Sequence, residues 1–237
     1  MNILGVKMDN LFKKEILEKI EYFLNEPKFH QIATVNPEFI LEAQKNEQFK
    51  NILNSCDLNI ADGIGIGFAF LRFGKYLKSR ITGADLMLEI LKIASNRGLG
   101  IFLACRQDGL SSFEETKNAI LKIYPKLKVQ EIPVPEALRL TYVNRSASGT
   151  VNAILFCNFG APQQELFINS VKNDSIRLAM GVGGSFDFLT GKIKRAPKWM
   201  QFLGFEWLWR LILQPKRIKR IFNAIIIFPI KIILCKK

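Results

Sequence analysis

Gln31-Ile-Ala-Thr-Val-Asn-Pro37 reads as a buried strand that passes directly into a helix. Residues 31–35 are the strand, Asn36 is a residue type that caps helices, and Pro37 suits a first helical position. Upstream, Leu11, Ile16, Leu17, Ile20, Phe23 and Leu24 recur at helical spacing between Lys and Glu, with Asp9 or Asn10 placed as N-cap and Pro27 beyond the end. Downstream the alternation continues. Strand runs are expected at Leu58–Ala61, at Leu99–Cys105 after a helix capped by Thr82, at Ala153–Cys157 and at Ile176–Met180. Each is short and apolar throughout, and amphipathic helices separate them. That pattern predicts an α/β fold of Rossmann-like type, a mostly parallel sheet with helices on both faces.

At 237 residues one large domain, or one domain with an appendage, is expected. No repeat or low-complexity tract appears, and Pro133 to Thr150 reads as a helix and loop rather than a linker. With 49% hydrophobic and 23% charged residues, the chain is too apolar for disorder and too short of long apolar runs for a polytopic membrane protein. Its net charge of +13 directs attention to an anionic partner: nucleic acid, phospholipid or a phosphorylated substrate. The charge is unevenly placed. From Lys192 to Lys237 twelve Lys and Arg face one acid, Glu206, a net +11 that leaves +2 for the preceding 191 residues. The composition shift near Gly191 therefore divides the chain into a body, 1–191, and a basic helical C-terminal appendage, 192–237.

The opening residues MNILGVKMDN have neither a basic start leading into an apolar run nor a small-residue cleavage site, so a cytoplasmic location is expected. Cys56, Cys105, Cys157 and Cys235 are scattered without CxxC spacing, and three sit inside or beside apolar stretches, which suits small buried thiols better than disulfides or zinc ligands. As the only histidine, His30 leaves zinc sites and His-based triads or dyads almost nothing to draw on; it reads as a strand-edge residue.

In sheets of this kind ligands bind at the carboxyl ends of the strands. Those ends carry Thr34, Asn36, Asp62, Gly63, Gly65, Asn158, Gly160, Pro162, Gln164, Gly181, Gly183 and Gly184. Neither ADGIGIG nor GVGGSFD matches a dinucleotide fingerprint or a P-loop. Asp62, between Ala61 and Gly63, is placed either as a general base in a desolvated crevice or as a cap for a helix beginning at Ile64. Arg80, just ahead of the helix capped by Thr82, is either a phosphate clamp or a solvated arginine. In Asn158-Phe-Gly-Ala-Pro-Gln-Gln-Glu165 a strand hands over to a helix, and Gln164 is either a ligand contact or a surface residue on the first turn.

Together, TVNPEF (34–39), ADGIGI (61–66), SRITGADL (79–86), FGAPQQE (159–165), GVGGSFDFLTG (181–191) and KRAPKWMQFLGFEWLWRL (194–211) resemble, in order and over nearly the whole chain, the WecG/TagA/CpsF glycosyltransferases. These include N-acetylmannosaminyltransferases of teichoic-acid linkage-unit and enterobacterial common antigen synthesis. The resemblance implies an inverting transfer from a UDP-sugar to an undecaprenyl-diphosphate-linked sugar, N-acetylmannosamine being the family default. It makes Asp62 the base, Thr34 and Asn36 pocket contacts, Arg80 a diphosphate contact, and Gln164 a contact near the sugar or acceptor. It also implies no cofactor and no metal, leaving-group charge being met by arginines and backbone N–H groups. The absence of a DxD sequence agrees with that.

The appendage fits the same picture. Lys216, Arg217, Lys219, Arg220 and Asn223 fall on one arc of a helix, Ile218, Ile221, Phe222 and Ile225 on the other. The apolar run from Ile221 to Cys235 is interrupted by Asn223, Pro229 and Lys231 and is shorter than the ~20 residues needed to cross a bilayer. It reads as lying on an anionic membrane surface, or as packed on its own domain. The resemblance favours the membrane, at the inner face, with Arg210, Arg217 and Arg220 lent to the active site. Self-association is one way to hide such an apolar helix off the membrane. The competing function is a nucleic-acid-binding protein using the basic aromatic tail. Asp62 and FGAPQQE argue against it, since a tail binder needs neither, so nucleic acid is not the expected partner.

Overall fold

The computed structural model describes residues 1–132, 153–173 and 175–235. The helix and loop expected between Pro133 and Thr150 lie outside the described residues.

A short hairpin opens the chain, β1 (Asn2–Ile3) against β2 (Val6–Lys7). Helix α1 (Lys13–Asn25) comes next, its apolar stripe Ile16, Ile20, Phe23 and Leu24 buried as its periodicity predicts. Its cap differs from expectation. Phe12 holds the cap position, with its N–H donating to the Glu15 carboxylate. Asp9 and Asn10 are used elsewhere: Asp9 accepts the Asn59 N–H, and Asn10 bridges the Tyr76 carbonyl and the Lys78 N–H.

Strand β3 (His30–Val35) leads into α2 (Pro37–Ala43), and the Asn36 side-chain oxygen accepts the N–H groups of Glu38 and Phe39 at 2.9 and 3.2 Å. Then come α3 (Glu47–Ser55), β4 (Leu58–Ala61), α4 (Ile64–Arg72), α5 (Gly83–Arg97), β5 (Gly100–Ala104), α6 (Phe113–Ile123) and β6 (Lys128–Glu131). Beyond the undescribed stretch are β7 (Ala153–Cys157), α7 (Gln163–Ser170), β8 (Ile176–Gly181) and α8 (Ser185–Leu189). The six strands β4-β3-β8-β7-β5-β6 lie side by side in that order, all parallel. His30 opens β3 as expected; β3 runs between β4 and β8, and the imidazole is buried, stacked on Phe23 with Nε2 2.8 Å from Glu26.

Side chains alternate across this sheet, so each strand feeds two cores. Ile32, Leu58, Leu103, Phe156 and Met180 pack with α1, α5 and α6 on one face. Ala33, Val35 and Ala61 pack with α2, α3 and α4 on the other, and Leu155 and Ala179 join α7 there. Cys56, Cys105 and Cys157 are buried free thiols. Register aligns the carboxyl ends, because Val35 sits beside Ala61, and Cys157 beside both Ala104 and Gly181. The residues immediately after those positions form one continuous ledge.

The C-terminal segment crosses in front of that ledge. It comprises α9 (Lys198–Leu203), α10 (Glu206–Leu213), a 3₁₀ turn at Pro215–Arg217, α11 (Ile218–Phe222), a π-helical stretch at Asn223–Ile227 and α12 (Phe228–Leu234). In the π stretch the Phe228 N–H reaches back to the Asn223 carbonyl, which lets the helix continue through Pro229 despite its missing N–H. The apolar run packs in part on its own domain. Phe228 and Ile232 are fully buried against the body beside Phe70 and Ile66, while Ile226, Ile230, Ile233 and Leu234 are exposed. Among the described residues no helix is long and apolar enough to cross a membrane.

Phe228 is therefore the anchor of α12. Truncating it to Ala removes contacts worth about 3–5 kcal/mol at a buried site. Because α12 is held to the body mainly by Phe228 and Ile232, the loss is expected as local release. Hydrogen exchange of Phe228→Ala should show faster deuterium uptake over residues 218–234, with β7 and β8 as protected as in the unaltered chain.

Candidate active site

One cleft of about 430 Å³ runs along the carboxyl ends of β3, β4, β5, β7 and β8, with α10 and α11 forming its far wall. Thr34, Asn36, Asp62, Arg80, Gln164, Arg210, Arg217 and Arg220, all selected from sequence, line it together. They come from six separate stretches of chain, and only the parallel register and the crossing C-terminal segment bring them within one volume.

Asp62 leaves β4 with its own N–H held by the Val35 carbonyl at 2.8 Å. The next residue, Gly63, has φ +90°, a conformation that side chains strain, and it occupies the cap position of α4 itself. The carboxylate consequently does not cap α4. It turns toward the start of α5, where Oδ2 accepts the Gly83 N–H at a long 3.4 Å. Burial at the cleft floor, then the like charge of Glu206, raises the Asp62 pKa to about 6, against the opposing pull of Arg210, the Gly83 N–H and Arg80. A carboxylate of that basicity is largely ionised near neutrality and still a competent proton acceptor.

Gln164 is buried, not on the surface. Its Oε1 accepts the N–H groups of Gly160 and Gly183 at 3.0 and 3.1 Å, and its Nε2 donates to Glu165 Oε1 at 2.7 Å. The side chain thus ties the loop after β7 to the loop after β8 while lining the cleft. The fit is close: a Cβ on Gly181 would lie 2.2 Å from Gln164 Nε2, so β8 can pass only as glycine there. Glu165, fully enclosed, has its pKa pushed up to about 8 by burial, which the Gln164 hydrogen bond only partly offsets.

The cationic wall is assembled by ion pairs that also fasten the C-terminal segment. Arg195 grips the Asp85 carboxylate at 2.6 and 2.7 Å and reaches Thr82 Oγ1 at 3.1 Å. Arg80 donates to the Gln201 carbonyl, and Arg220 makes a two-pronged contact with Glu38. Arg210 lies over the Phe188 ring, 4.6 Å from its centroid. Arg217 is the least neutralised of the set. Desolvation, then the neighbouring Arg210 and Arg220 charges, bring its pKa down to about 10 despite Glu38 and Asp187.

Other charged residues also line the cleft. Arg106 and Asp108 stand just beyond β5, ion-paired to each other, with the Arg106 N–H held by Asn158. They satisfy the same strand-end rule that selects Asp62. Asp187, on α8, accepts from Ser111 Oγ at 2.8 Å. Glu206 is marked in sequence only as the sole acid of a strongly basic segment.

The cleft of this parallel α/β body thus carries a buried carboxylate on one side and a guanidinium wall on the other. The chain belongs to the glycosyl transferase WecG/TagA/CpsF family, whose profile matches residues 1–237, and it is a glycosyltransferase. Among curated relatives, an N-acetylglucosaminyldiphosphoundecaprenol N-acetyl-β-D-mannosaminyltransferase of Bacillus subtilis (strain 168) is 34% identical over 197 residues, 81% of this chain and 75% of that protein. One of the same name from Bacillus spizizenii (strain ATCC 23059 / NRRL B-14472 / W23) is 29% identical over 202 residues, 85% and 78% of the respective chains.

Glu165 makes stability depend on pH. Its folded pKa of about 8 lies above the ordinary value of 4.5, so the folded state binds the extra proton and loses stability as pH rises through that interval. Asp62, at about 6, acts in the same sense but is largely ionised above that pH. Thermal melts between pH 6.5 and 8.5, roughly spanning the Glu165 transition, should show a falling Tm that Glu165→Gln flattens. An equal slope in the variant would exclude Glu165 as its source.

Proposed function

We propose that this glycosyltransferase moves a sugar, N-acetylmannosamine by default, from a UDP-sugar to an undecaprenyl-diphosphate-linked sugar, with inversion and without a metal ion. The observation that carries the reading is Asp62, held near pKa 6 in a cleft whose opposite wall is built from Arg210, Arg217 and Arg220. The names of the relatives support the acceptor and the sugar: both refer to an N-acetylglucosaminyl diphosphoundecaprenol and to N-acetylmannosamine.

In the proposed step the acceptor hydroxyl oxygen attacks the anomeric carbon from the face opposite the nucleotide. Its proton passes to the Asp62 carboxylate as the new C–O bond forms. The bond from the anomeric carbon to the diphosphate oxygen breaks with its electron pair, and UDP leaves carrying the added negative charge. Arg80, Arg210, Arg217 and Arg220 are the groups available to meet that charge, as charge-assisted donors in a partly dehydrated cleft. Thr34 and Asn36 line the floor beside Asp62. Gln164 contributes by holding the Gly160 and Gly183 loops at the sugar end, with one amide hydrogen left for a ligand.

The stretch 192–237 is read as a membrane-docking appendage at the anionic inner surface. Trp199, Phe202, Ile212, Ile218 and Phe222 are exposed on it among many cations, the combination that binds an anionic interface. Vesicle co-sedimentation with anionic lipid against single-stranded RNA tests this. Salt-sensitive vesicle binding is expected, and tight RNA binding without vesicle affinity would favour the nucleic-acid reading instead.

A panel of UDP-sugars with a lipid-diphosphate-N-acetylglucosamine acceptor, the product analysed by mass, tests the reaction. Asp62→Asn should lower transfer by roughly 10²–10⁴-fold with UDP affinity nearly intact; turnover like that of the unaltered enzyme would remove Asp62 as the base. Chelators should leave the rate unchanged, whereas strict Mg²⁺ dependence would contradict metal-free leaving-group stabilisation.

A further inference from the structure

Glu206 is the only acid in a segment that carries twelve cations, yet it is placed inward. It sits in the first turn of α10, lines the cleft that holds Asp62, and its side chain is only 17% exposed. One helical turn on, Arg210 Nη2 lies 3.5 Å from its carboxylate. Arg210 is held on its other side by the Phe188 ring, so ring and carboxylate together define where the guanidinium points. We propose that Glu206 is a positioning residue of the transfer reaction: it fixes Arg210 against Phe188 on the cationic wall and places a second negative charge at the Asp62 corner of the cleft. This role deepens the proposed glycosyl transfer and rests on it.

The charges around Asp62 come from three directions. Arg80 and the Gly83 N–H approach from the start of α5, Arg195 from the stretch before α9, and Glu206 with Arg210 from α10. All but Glu206 favour the ionised form of Asp62. Glu206 opposes them, and after burial it is the largest influence raising the Asp62 pKa. Without it, Asp62 would be a weaker proton acceptor beside the same arginines. The basic segment therefore supplies cations for the leaving group together with one anion that keeps those cations from overstabilising the Asp62 carboxylate.

The test is a carboxyl ¹³C NMR titration of the full chain, with the Asp62 resonance assigned by its loss in Asp62→Asn. The Asp62 midpoint should fall in Glu206→Gln and rise in Arg210→Gln, opposite shifts from two residues on one helix. A carboxylate that only favours the first turn of α10 would leave the Asp62 midpoint unmoved in Glu206→Gln, and that result overturns the proposal. In transfer kinetics, Glu206→Gln should move the acid limb of kcat/KM to lower pH and reduce its plateau roughly tenfold, the scale of a misplaced catalytic contact. Glu206→Asp should recover most of the plateau; a plateau and acid limb in Glu206→Gln equal to those of the unaltered enzyme would also overturn it. If the unaltered chain used no UDP-sugar, the proposed function would fail on its own, and the NMR result would still decide Glu206.

Discussion

Val35 and Ala61 lie side by side in a parallel sheet, and the cleft depends on the residue that comes directly after each. Asn36 spends its side-chain oxygen on the first amides of α2. Asp62 would be equally suited to cap α4, and had it done so, helix N–H groups would have stabilised its anion and lowered its pKa. Gly63 prevents this by taking the cap position in a left-handed conformation. The carboxylate is left with one long hydrogen bond from Gly83, too little to offset the burial and the Glu206 charge that raise its pKa. A single backbone turn thus keeps a residue type that routinely caps helices from capping α4 and leaves its carboxylate in the cleft.

Legibility in the sequence tracks burial. The strands β3, β4, β5, β7 and β8 are readable because each is covered on both faces, so that apolar residues dominate the run. Strand β6, Lys128-Val-Gln-Glu131, lies at the sheet's edge and is largely exposed, so its composition carries no strand signal. The two-residue strands β1 and β2 are too short to show a period. In the cleft, residues next to a strand end or within a family motif are found from sequence. Arg106 was accessible by the first rule, since it stands just beyond β5. Glu206 and Asp187 lie inside such motifs but are not singled out there, because their approach to the site depends on how helices after the sheet fold back across it.

Gln164 shows a limit of a different kind. Its position beside the ligand edge was legible, but its work was not: the amide is engaged with Gly160, Gly183 and Glu165 inside the protein. A polar residue at a strand end can face a ligand or hold the loops that do, and only the hydrogen bonds distinguish the two. Here one amide does the holding and lines the cleft as well. The glycine at position 181 is the steric counterpart of that arrangement.

The cations of the C-terminal segment divide by partner. Arg195 and Arg220 are matched by carboxylates of the body, Asp85 and Glu38, and these pairs fasten the segment across the ledge. Arg217 has no ion-pair partner among the described residues and sits between Arg210 and Arg220, with its pKa depressed by burial and by their repulsion. Like charges gathered in a partly dehydrated cleft repel one another, and an anion entering between them would relieve that repulsion. Phe228 and Ile232 anchor the segment's far end to the body through apolar contact, so the segment is held by ion pairs at its charged part and by packing at its apolar end.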